Sequence, residues 1–231
     1  MKSTFVFFDL DNTLLDHSSA EKSAQKITHE SFPELQQVSL DEWLETYRAI
    51  NHRLWERYQR DEIDRHELQK TRFSATMKSL NLNPEKSSEI GAAYMEFYRT
   101  HWQWVTGAKQ ALANVSEKYK TGIITNGFKE TQQLKIEQLK LKSYCSEFLI
   151  SEDVGKMKPH PLVFDRATEM AGVPRDQILY VGDSYSSDIL GGKNAGWRTA
   201  WYNAPAVDQL PENRADITFS RFDDLLDFLD V

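Results

Sequence analysis

The feature that most constrains the fold is a series of short apolar segments that alternate with stretches of helical patterning. The apolar segments occupy residues 4–8, 121–125, 148–150, 178–181, 199–202 and 217–219. Helices are predicted at 108–118, at 129–140, from near Pro161, from Ser184 or Tyr185, and at 222–229. Strands that alternate with helices are joined by crossover connections, which favour a parallel sheet. The pattern therefore predicts an α/β domain.

A long segment without a convincing strand, residues 18–102, follows the first apolar run. Its clearest helix is predicted over 39–60, where apolar side chains recur at spacings of three and four residues. Further helix starts are indicated by the capping-box patterns Ser18-Ser19-Ala20-Glu21 and Ser39-Leu40-Asp41-Glu42 and by the Asn83-Pro84 pair. We predict a helical bundle whose core holds Trp43, Tyr47, Trp55, Tyr94 and Phe97. The expected domains are an α/β core, residues 1–17 and 103–231, and a helical insert, residues 18–102.

The composition limits the partners and the compartment. With 28 basic and 35 acidic side chains in 231 residues, the net charge is −7, so the chain is a poor candidate for binding nucleic-acid polymers. Cys145 is the single cysteine, which excludes an internal disulfide and favours a reducing compartment. No apolar run reaches the length of a signal-peptide core or a membrane span. We expect a cytoplasmic monomer or homodimer with no membrane partner.

Polar side chains follow the predicted strands at the points where the strands end. They are Asp9 and Asp11 after the first, Thr125 and Asn126 after the next, Lys158 in the loop after 148–150, and Asp183 and Asp188 after 178–181. Ligands of open parallel sheets bind at the carboxyl ends of the strands. Crowded carboxylates need a neutralising cation, and a hard ion such as Mg²⁺ prefers oxygen ligands. A lysine and a hydroxyl nearby suit a phosphate group, so the set indicates phosphoryl transfer.

These residues resemble the motifs of the haloacid dehalogenase (HAD) superfamily. Asp9-x-Asp11-x-Thr13, then Thr125 after an apolar run, then Lys158-Pro159, then Gly182-Asp183 with Asp188 appear in the order of that superfamily's four motifs. The resemblance covers essentially the whole chain. It implies a Rossmann-like parallel-sheet core and an inserted α-helical cap of the first type, which closes over the substrate.

The resemblance also implies a role for each motif residue. Asp9 is the implied nucleophile, which forms an aspartyl phosphate, and Asp11 is the implied general acid and base. Thr125, Asn126 and Lys158 would bind the phosphoryl group, and Lys158 would also offset the charge of Asp9. The expected cofactor is Mg²⁺, held by Asp9, by the backbone carbonyl of Asp11, by Asp183 and, directly or from nearby, by Asp188. Lys156 lies in the same motif, but Lys158 immediately precedes Pro159, so Lys158 is preferred and Lys156 is expected at the surface.

The residues also narrow the substrate. Asp11 favours phosphate esters over carbon–halogen bonds, because the haloalkanoate dehalogenases of this superfamily lack that second acid. The stretch from Tyr180 to Gly196, with Asp16-His17 after the first motif, is most similar to bacterial nucleotidases that act on pyrimidine nucleoside 5′-monophosphates. Phosphoglycolate and sugar-phosphate phosphatases remain alternatives. A phosphoglucomutase-type enzyme, which passes the phosphoryl group to a second acceptor, is another.

A different class is a response-regulator receiver module, which also combines a parallel α/β sheet with a phosphorylated aspartate, Mg²⁺, a Thr or Ser and a Lys. Receivers carry the phosphorylated aspartate on a later strand than their acidic pair, and they lack an insert such as residues 18–102. A catalytically idle phosphate-binding protein is the third possibility. The full motif set favours an enzyme that acts on a small phosphorylated metabolite.

Overall fold

The computed structural model describes residues 3–203 and 214–231. The chain separates into two compact units, one formed by Met1–Asp16 with Gln103–Val231 and the other by His17–Trp102. The first is called the core unit below and the second the helical unit. The units divide between Asp16 and His17 and between Trp102 and Gln103. The Asp16 amide donates to the carbonyl of Gln103 (2.9 Å), so the two ends of the core unit are joined at these points.

The core unit is built on one parallel sheet. Its strands are β1 (Phe5–Phe8), β2 (Lys120–Thr125), β3 (Glu147–Ile150), β4 (Ile178–Gly182), β5 (Arg198–Tyr202) and β6 (Ile217–Phe219). They are ordered β3-β2-β1-β4-β5-β6, and each neighbouring pair runs parallel. Each predicted apolar segment is a strand, and the predicted α/β parallel sheet is confirmed.

The core unit also contains helices that lie between these strands or after the last of them in the chain. They are α5 (Ala108–Lys118), α6 (Lys129–Gln138), α7 (Ser151–Val154), α8 (Pro161–Ala171), α9 (Leu190–Asn194) and α10 (Phe222–Leu229). The core includes Phe7, which stacks on Trp197 with ring centroids 5.6 Å apart, and Tyr180, which packs edge-on against Phe164. The strand β1 is central and fully buried, so the polar residue that follows it emerges in the middle of the sheet edge.

The helical unit is held together by aromatic packing. It contains α1 (His17–Ser31), α2 (Leu40–Gln59), α3 (Arg65–Ser79) and α4 (Ser87–Thr100). Trp43 and Tyr47 of α2 pack against Phe73 of α3, and Tyr47 also contacts Tyr94 of α4. Ser39 caps α2 by accepting from the Glu42 amide (3.2 Å), as the capping-box pattern predicts. The expectation of a helical bundle is confirmed.

The predicted helix starts are found to within one residue, with differences in detail. Helix α1 begins at His17, one residue before the Ser18 of the capping-box pattern. Asn83 caps a 3-10 turn, Pro84–Lys86, that precedes α4. The helix expected from Ser184 or Tyr185 starts as a π-helical turn, Tyr185–Ile189.

Other differences concern burial and helix length. Trp55 and Phe97 are only half-buried, so they are not core residues of the bundle. The helix predicted at 129–140 ends at Gln138, and the short helix α7 was not expected. Cys145 is buried. Among the described residues, none of the helices combines the length and the apolar character needed to cross a bilayer.

Candidate active site

Asp9 lies at the centre of the carboxyl edge of the sheet. Its amide continues the pairing of β1 with β4 by donating to the carbonyl of Val181 (2.8 Å). Its Oδ1 atom accepts a hydrogen bond from the Lys158 ammonium (2.6 Å). These two hydrogen bonds fix the backbone and one carboxylate oxygen of Asp9. Only 6% of the residue is exposed.

Lys158 connects three strand ends of the core unit. Its Nζ donates to Asp9 Oδ1 (2.6 Å), to Asp188 Oδ1 (2.8 Å), to the Tyr180 hydroxyl (2.6 Å) and to the Ile124 carbonyl (3.2 Å). Only 2% of the residue is exposed. Burial disfavours the ammonium, but Asp188 and Asp9 outweigh it and raise the pKa of Lys158 above its ordinary value. The side chain is therefore a fixed positive charge between two carboxylates.

The backbone of Lys158 is also fixed, by Asn126. The Asn126 amide nitrogen donates to the Lys158 carbonyl (3.1 Å), and the Lys158 amide donates to Asn126 Oδ1 (2.9 Å). This pair of bonds attaches the loop after α7 to the end of β2. Lys156, two residues earlier, is only half-buried, in keeping with the preference for Lys158.

Three carboxylates form an acidic cluster beside Lys158. Asp9, Asp183 and Asp188 each offer an oxygen, and these oxygens lie within 4.8 Å of one another. Thr13 donates to Asp183 Oδ1 (3.2 Å), and the Ser184 amide donates to Asp188 Oδ2 (3.0 Å). The acidic cluster combines hard oxygen donors with uncompensated negative charge, which fits a divalent cation such as Mg²⁺.

Burial and mutual repulsion raise the pKa values of two carboxyl groups of the acidic cluster. Burial raises the pKa of Asp9 well above its ordinary value; Lys158 opposes this shift, whereas Asp188 and Asp183 add to it. Burial, followed by repulsion from Asp188, raises the pKa of Asp183 from 3.8 to about 7. A cation held between these side chains would reverse both effects, because it favours the charged carboxylates.

Gly182 makes room for the acidic cluster. A Cβ atom on this residue would lie 2.4 Å from Asp188 Oδ2. The approach is closer than any side chain tolerates, so the end of β4 has to be glycine for the Asp188 carboxylate to reach Lys158. This close contact explains why glycine precedes Asp183 in the motif.

Among the described residues, the acidic cluster does not include Asp11, whose carboxylate forms hydrogen bonds with side chains of α6. Both of its carboxylate oxygens accept from Lys135 Nζ, at 2.7 and 2.9 Å, and Oδ2 also accepts from Gln132 Nε2 (3.0 Å). The expected contact of the Asp11 carbonyl with a metal stays a prediction. Thr125, which is fully buried, accepts from the same Gln132 amide and donates to the Asn126 carbonyl. Its expected contact with phosphate also stays a prediction.

The sequence motifs did not reveal Gln132, Lys135 and Tyr180. Tyr180 looked like an ordinary strand residue, although its hydroxyl donates to the Ile124 carbonyl (3.0 Å) and accepts from Lys158. Gln132 and Lys135 are three residues apart on α6 and so share one face of that helix. Their polar character suggests solvent exposure, and only the tertiary structure shows that they are buried.

Known proteins are similar to this chain in sequence and fold. Residues 6–202 match the family described as haloacid dehalogenase-like hydrolase. Pyrimidine 5′-nucleotidase YjjG of Escherichia coli is 39% identical over 223 residues, which cover 93% of this chain and 92% of that protein. Pyrimidine 5′-nucleotidase PynA of Streptococcus pneumoniae is 32% identical over 231 residues, with 98% and 94% covered.

A solved structure shows the same fold as this chain. The putative HAD-hydrolase YfnB from Bacillus subtilis, solved with bound magnesium, superimposes with a TM-score of 0.85 at 27% identity over 100% of both chains. The family match spans most of the chain, and it includes Asp9, Asp11, Thr125, Lys158 and Asp183. The chain belongs to the haloacid dehalogenase-like hydrolases.

Proposed function

We propose that this hydrolase is a Mg²⁺-dependent phosphomonoesterase that acts through an aspartyl phosphate on Asp9. The observation that carries the proposal is the buried Lys158 ammonium, which lies 2.6 Å from Asp9 Oδ1 and 2.8 Å from Asp188 Oδ1 next to the acidic cluster. A fixed cation and a carboxylate nucleophile beside a cluster of metal-binding oxygens are what phosphoryl transfer requires.

Asp9 carries the first step of the proposed reaction. Its Oδ1 atom is held by Lys158, so Oδ2 attacks phosphorus while the bond from phosphorus to the ester oxygen breaks. Asp11 donates a proton to the departing alcohol. Asp9, Asp183, Asp188 and the Asp11 carbonyl would hold Mg²⁺, which supplies positive charge that draws the anionic phosphate and the carboxylate together.

Water completes the cycle. Asp11, now a carboxylate, takes a proton from the water that attacks phosphorus, and the bond between phosphorus and Asp9 breaks. Inorganic phosphate and the starting carboxylate of Asp9 result. Lys158 offsets negative charge in both steps. The hydroxyl of Thr125 and the backbone amide of Asn126 would bind phosphoryl oxygens.

The substrate we propose is a pyrimidine nucleoside 5′-monophosphate. Two relatives that align over nearly the whole chain are named pyrimidine 5′-nucleotidases. The test is phosphate release from a panel of pyrimidine and purine nucleoside monophosphates, phosphoglycolate and sugar phosphates in the presence of Mg²⁺. Fast release confined to pyrimidine nucleotides supports the proposal. A preference for phosphoglycolate or sugar phosphates would keep the phosphatase and replace the substrate.

Asp183→Asn should weaken metal binding and turnover together. An amide is a poorer ligand than a carboxylate for a hard cation, so we expect the Mg²⁺ concentration at half-maximal activity to rise about 10- to 100-fold. Activity is measured against Mg²⁺ concentration, with EDTA as the zero point. Unchanged activity at low Mg²⁺ would remove Asp183 from the metal site, and full activity in EDTA would refute metal dependence.

The raised pKa of Asp183 makes metal-free stability depend on pH. The folded protein retains a proton on Asp183 between 3.8 and about 7, so its contribution to stability is present at low pH and is lost as the pH rises through about 7. In EDTA, Asp183→Asn should therefore become progressively more stable than the wild type as pH increases. Each 1 kcal/mol of this difference shifts Tm by about 2–4 °C.

Mg²⁺ should reverse the order of these two proteins. The ion favours the charged carboxylate, so the wild type should gain more from Mg²⁺ than Asp183→Asn does, and the gain should grow as the pH rises toward about 7. Thermal melts at several pH values, with and without Mg²⁺, measure both effects. A difference between the two proteins that does not change with pH would contradict the assigned pKa direction.

A further inference from the structure

Helix α6 buries two polar side chains where a helix packed on a sheet ordinarily buries apolar ones. Gln132 is 1% exposed and Lys135 is 2% exposed, and both lie on the buried face of the helix with Ile136. A buried ammonium costs free energy unless it is paired and hydrogen-bonded. The partner that offsets this cost is the carboxylate of Asp11.

The two side chains fix the carboxylate of Asp11 in orientation. Lys135 Nζ contacts both oxygens, at 2.7 and 2.9 Å, and Gln132 Nε2 contacts Oδ2 at 3.0 Å. The same Gln132 nitrogen also lies within hydrogen-bond distance of the Asn126 carbonyl (2.9 Å) and of the Thr125 hydroxyl, so its two hydrogens are shared among three acceptors. One helix therefore connects the second acid of the first motif to the end of β2.

Anchoring of α6 is the simpler explanation of this pairing, and two observations make it insufficient. A buried ion pair adds little net stability, and well-packed apolar side chains of similar volume often stabilise a core equally well or better. The pairing is also unequal in exposure, because the Lys135 side chain is 3% exposed whereas that of Asp11 is 24% exposed. The side chain that holds the carboxylate is therefore buried, while the Asp11 side chain keeps about a quarter of its surface exposed.

We propose that Lys135 and Gln132 are positioning residues that hold the Asp11 carboxylate in the orientation needed for proton transfer during phosphate-ester hydrolysis. The inference rests on the proposed function, in which Asp11 donates a proton to the departing alcohol and later takes one from water. Both transfers depend on the placement of one carboxylate within hydrogen-bond reach of the reacting oxygen. Without Lys135, Asp11 loses the two contacts that fix the orientation of its carboxylate.

The test is Lys135→Met, which keeps the length of the side chain and removes its charge. We expect kcat to fall about 10- to 100-fold on a nucleotide substrate while KM stays within about twofold, since Asp11 acts on protons and does not anchor the substrate. Lys135→Arg, which keeps a cation, should restore most of the loss. Lys142→Met, an exposed lysine in the turn after α6, is the matched control and should behave as the wild type.

A substrate with an acidic leaving group distinguishes loss of the Asp11 orientation from a general loss of folded enzyme. The p-nitrophenolate ion leaves p-nitrophenyl phosphate without needing a proton, whereas the water step still needs Asp11. Lys135→Met should therefore release a burst of p-nitrophenolate equal to the enzyme concentration, followed by slow turnover. Gln132→Leu leaves the ion pair in place, so its steady turnover after the burst should fall less than that of Lys135→Met. This variant provides the same test if Lys135→Met does not fold.

The outcomes separate this inference from the proposed function. No phosphate release by the wild type from any phosphomonoester would refute the proposed function and this inference with it. Wild-type activity with equal kcat in Lys135→Met would overturn the inference alone. A lower kcat in which burst and steady rate fall in proportion, without rescue by Lys135→Arg, would also overturn it, because that pattern indicates a smaller fraction of folded enzyme.

Discussion

Asp9→Asn should abolish turnover while leaving the fold intact. The variant keeps the size of the side chain and a hydrogen-bond acceptor for Lys158, but it lacks the nucleophile, so we expect kcat to fall by at least about 10⁴-fold. The folded protein already resists ionisation of Asp9, since burial raises its pKa. Metal-free Asp9→Asn should therefore be as stable as the wild type or more stable.

Asp16→Asn is the matched control for this prediction. It makes the same change seven residues further along the same loop, at a side chain that is outside the acidic cluster. Phosphate release and thermal melts are measured for both variants. Turnover by Asp9→Asn near the wild-type rate would exclude Asp9 as the nucleophile, and equal losses in both variants would indicate that the loop as a whole is sensitive.

Lys158→Met should affect activity and stability together. The change removes the charge that offsets Asp9 and Asp188, so we expect kcat to fall about 10²- to 10³-fold. It also leaves two buried carboxylates without their shared partner, an arrangement that costs up to about 3–5 kcal/mol of unfolding free energy. Part of this cost disappears when the carboxylates take up protons, so the loss should be larger at high pH than at low pH.

Lys156→Met controls for the loss of a lysine from the same loop. Its side chain is only half-buried, and its removal should change the unfolding free energy by no more than about 0.5 kcal/mol. Denaturant titrations in EDTA and phosphate-release assays compare the two variants. The opposite ranking, with Lys156→Met the more damaging change, would show that the wrong lysine of the motif has been chosen.

Much of the fold follows from the sequence because the strands are unusually clear. Each strand of the sheet is a short apolar run, and a parallel sheet buried on both faces requires this pattern. The start of α1 differs from the pattern by one residue. Ser18 has the capping-box pattern, but the helix begins at His17, directly after the backbone hydrogen bond from Asp16 to Gln103.

The strand ends also explain how far the candidate site could be predicted. Asp9 and Asp183 directly follow central strands, so the topology alone brings them to one edge. Lys158 comes from a loop, and its position depends on two hydrogen bonds with Asn126 that no sequence spacing reveals. The roles of these residues in catalysis remain proposals.

Gln132 and Lys135 could not be predicted from the sequence. Helix α6 has little amphipathic patterning, so its polar residues give no sign of which face is buried. Only the position of the helix against the end of β2 places both side chains beside Asp11. A lysine is almost never fully buried unless it is paired, and the resemblance to the four motifs implies a role for Lys158 but none for Lys135.

Identification of the covalent intermediate tests the central claim most directly. The wild-type protein is mixed with Mg²⁺ and a pyrimidine nucleoside 5′-monophosphate, quenched in acid during turnover, digested and analysed by mass spectrometry. We expect one added phosphoryl group on the peptide that contains Asp9, and none in Asp9→Asn. A phosphoryl group on another residue, or steady turnover with no modified peptide at any quench time, would contradict it.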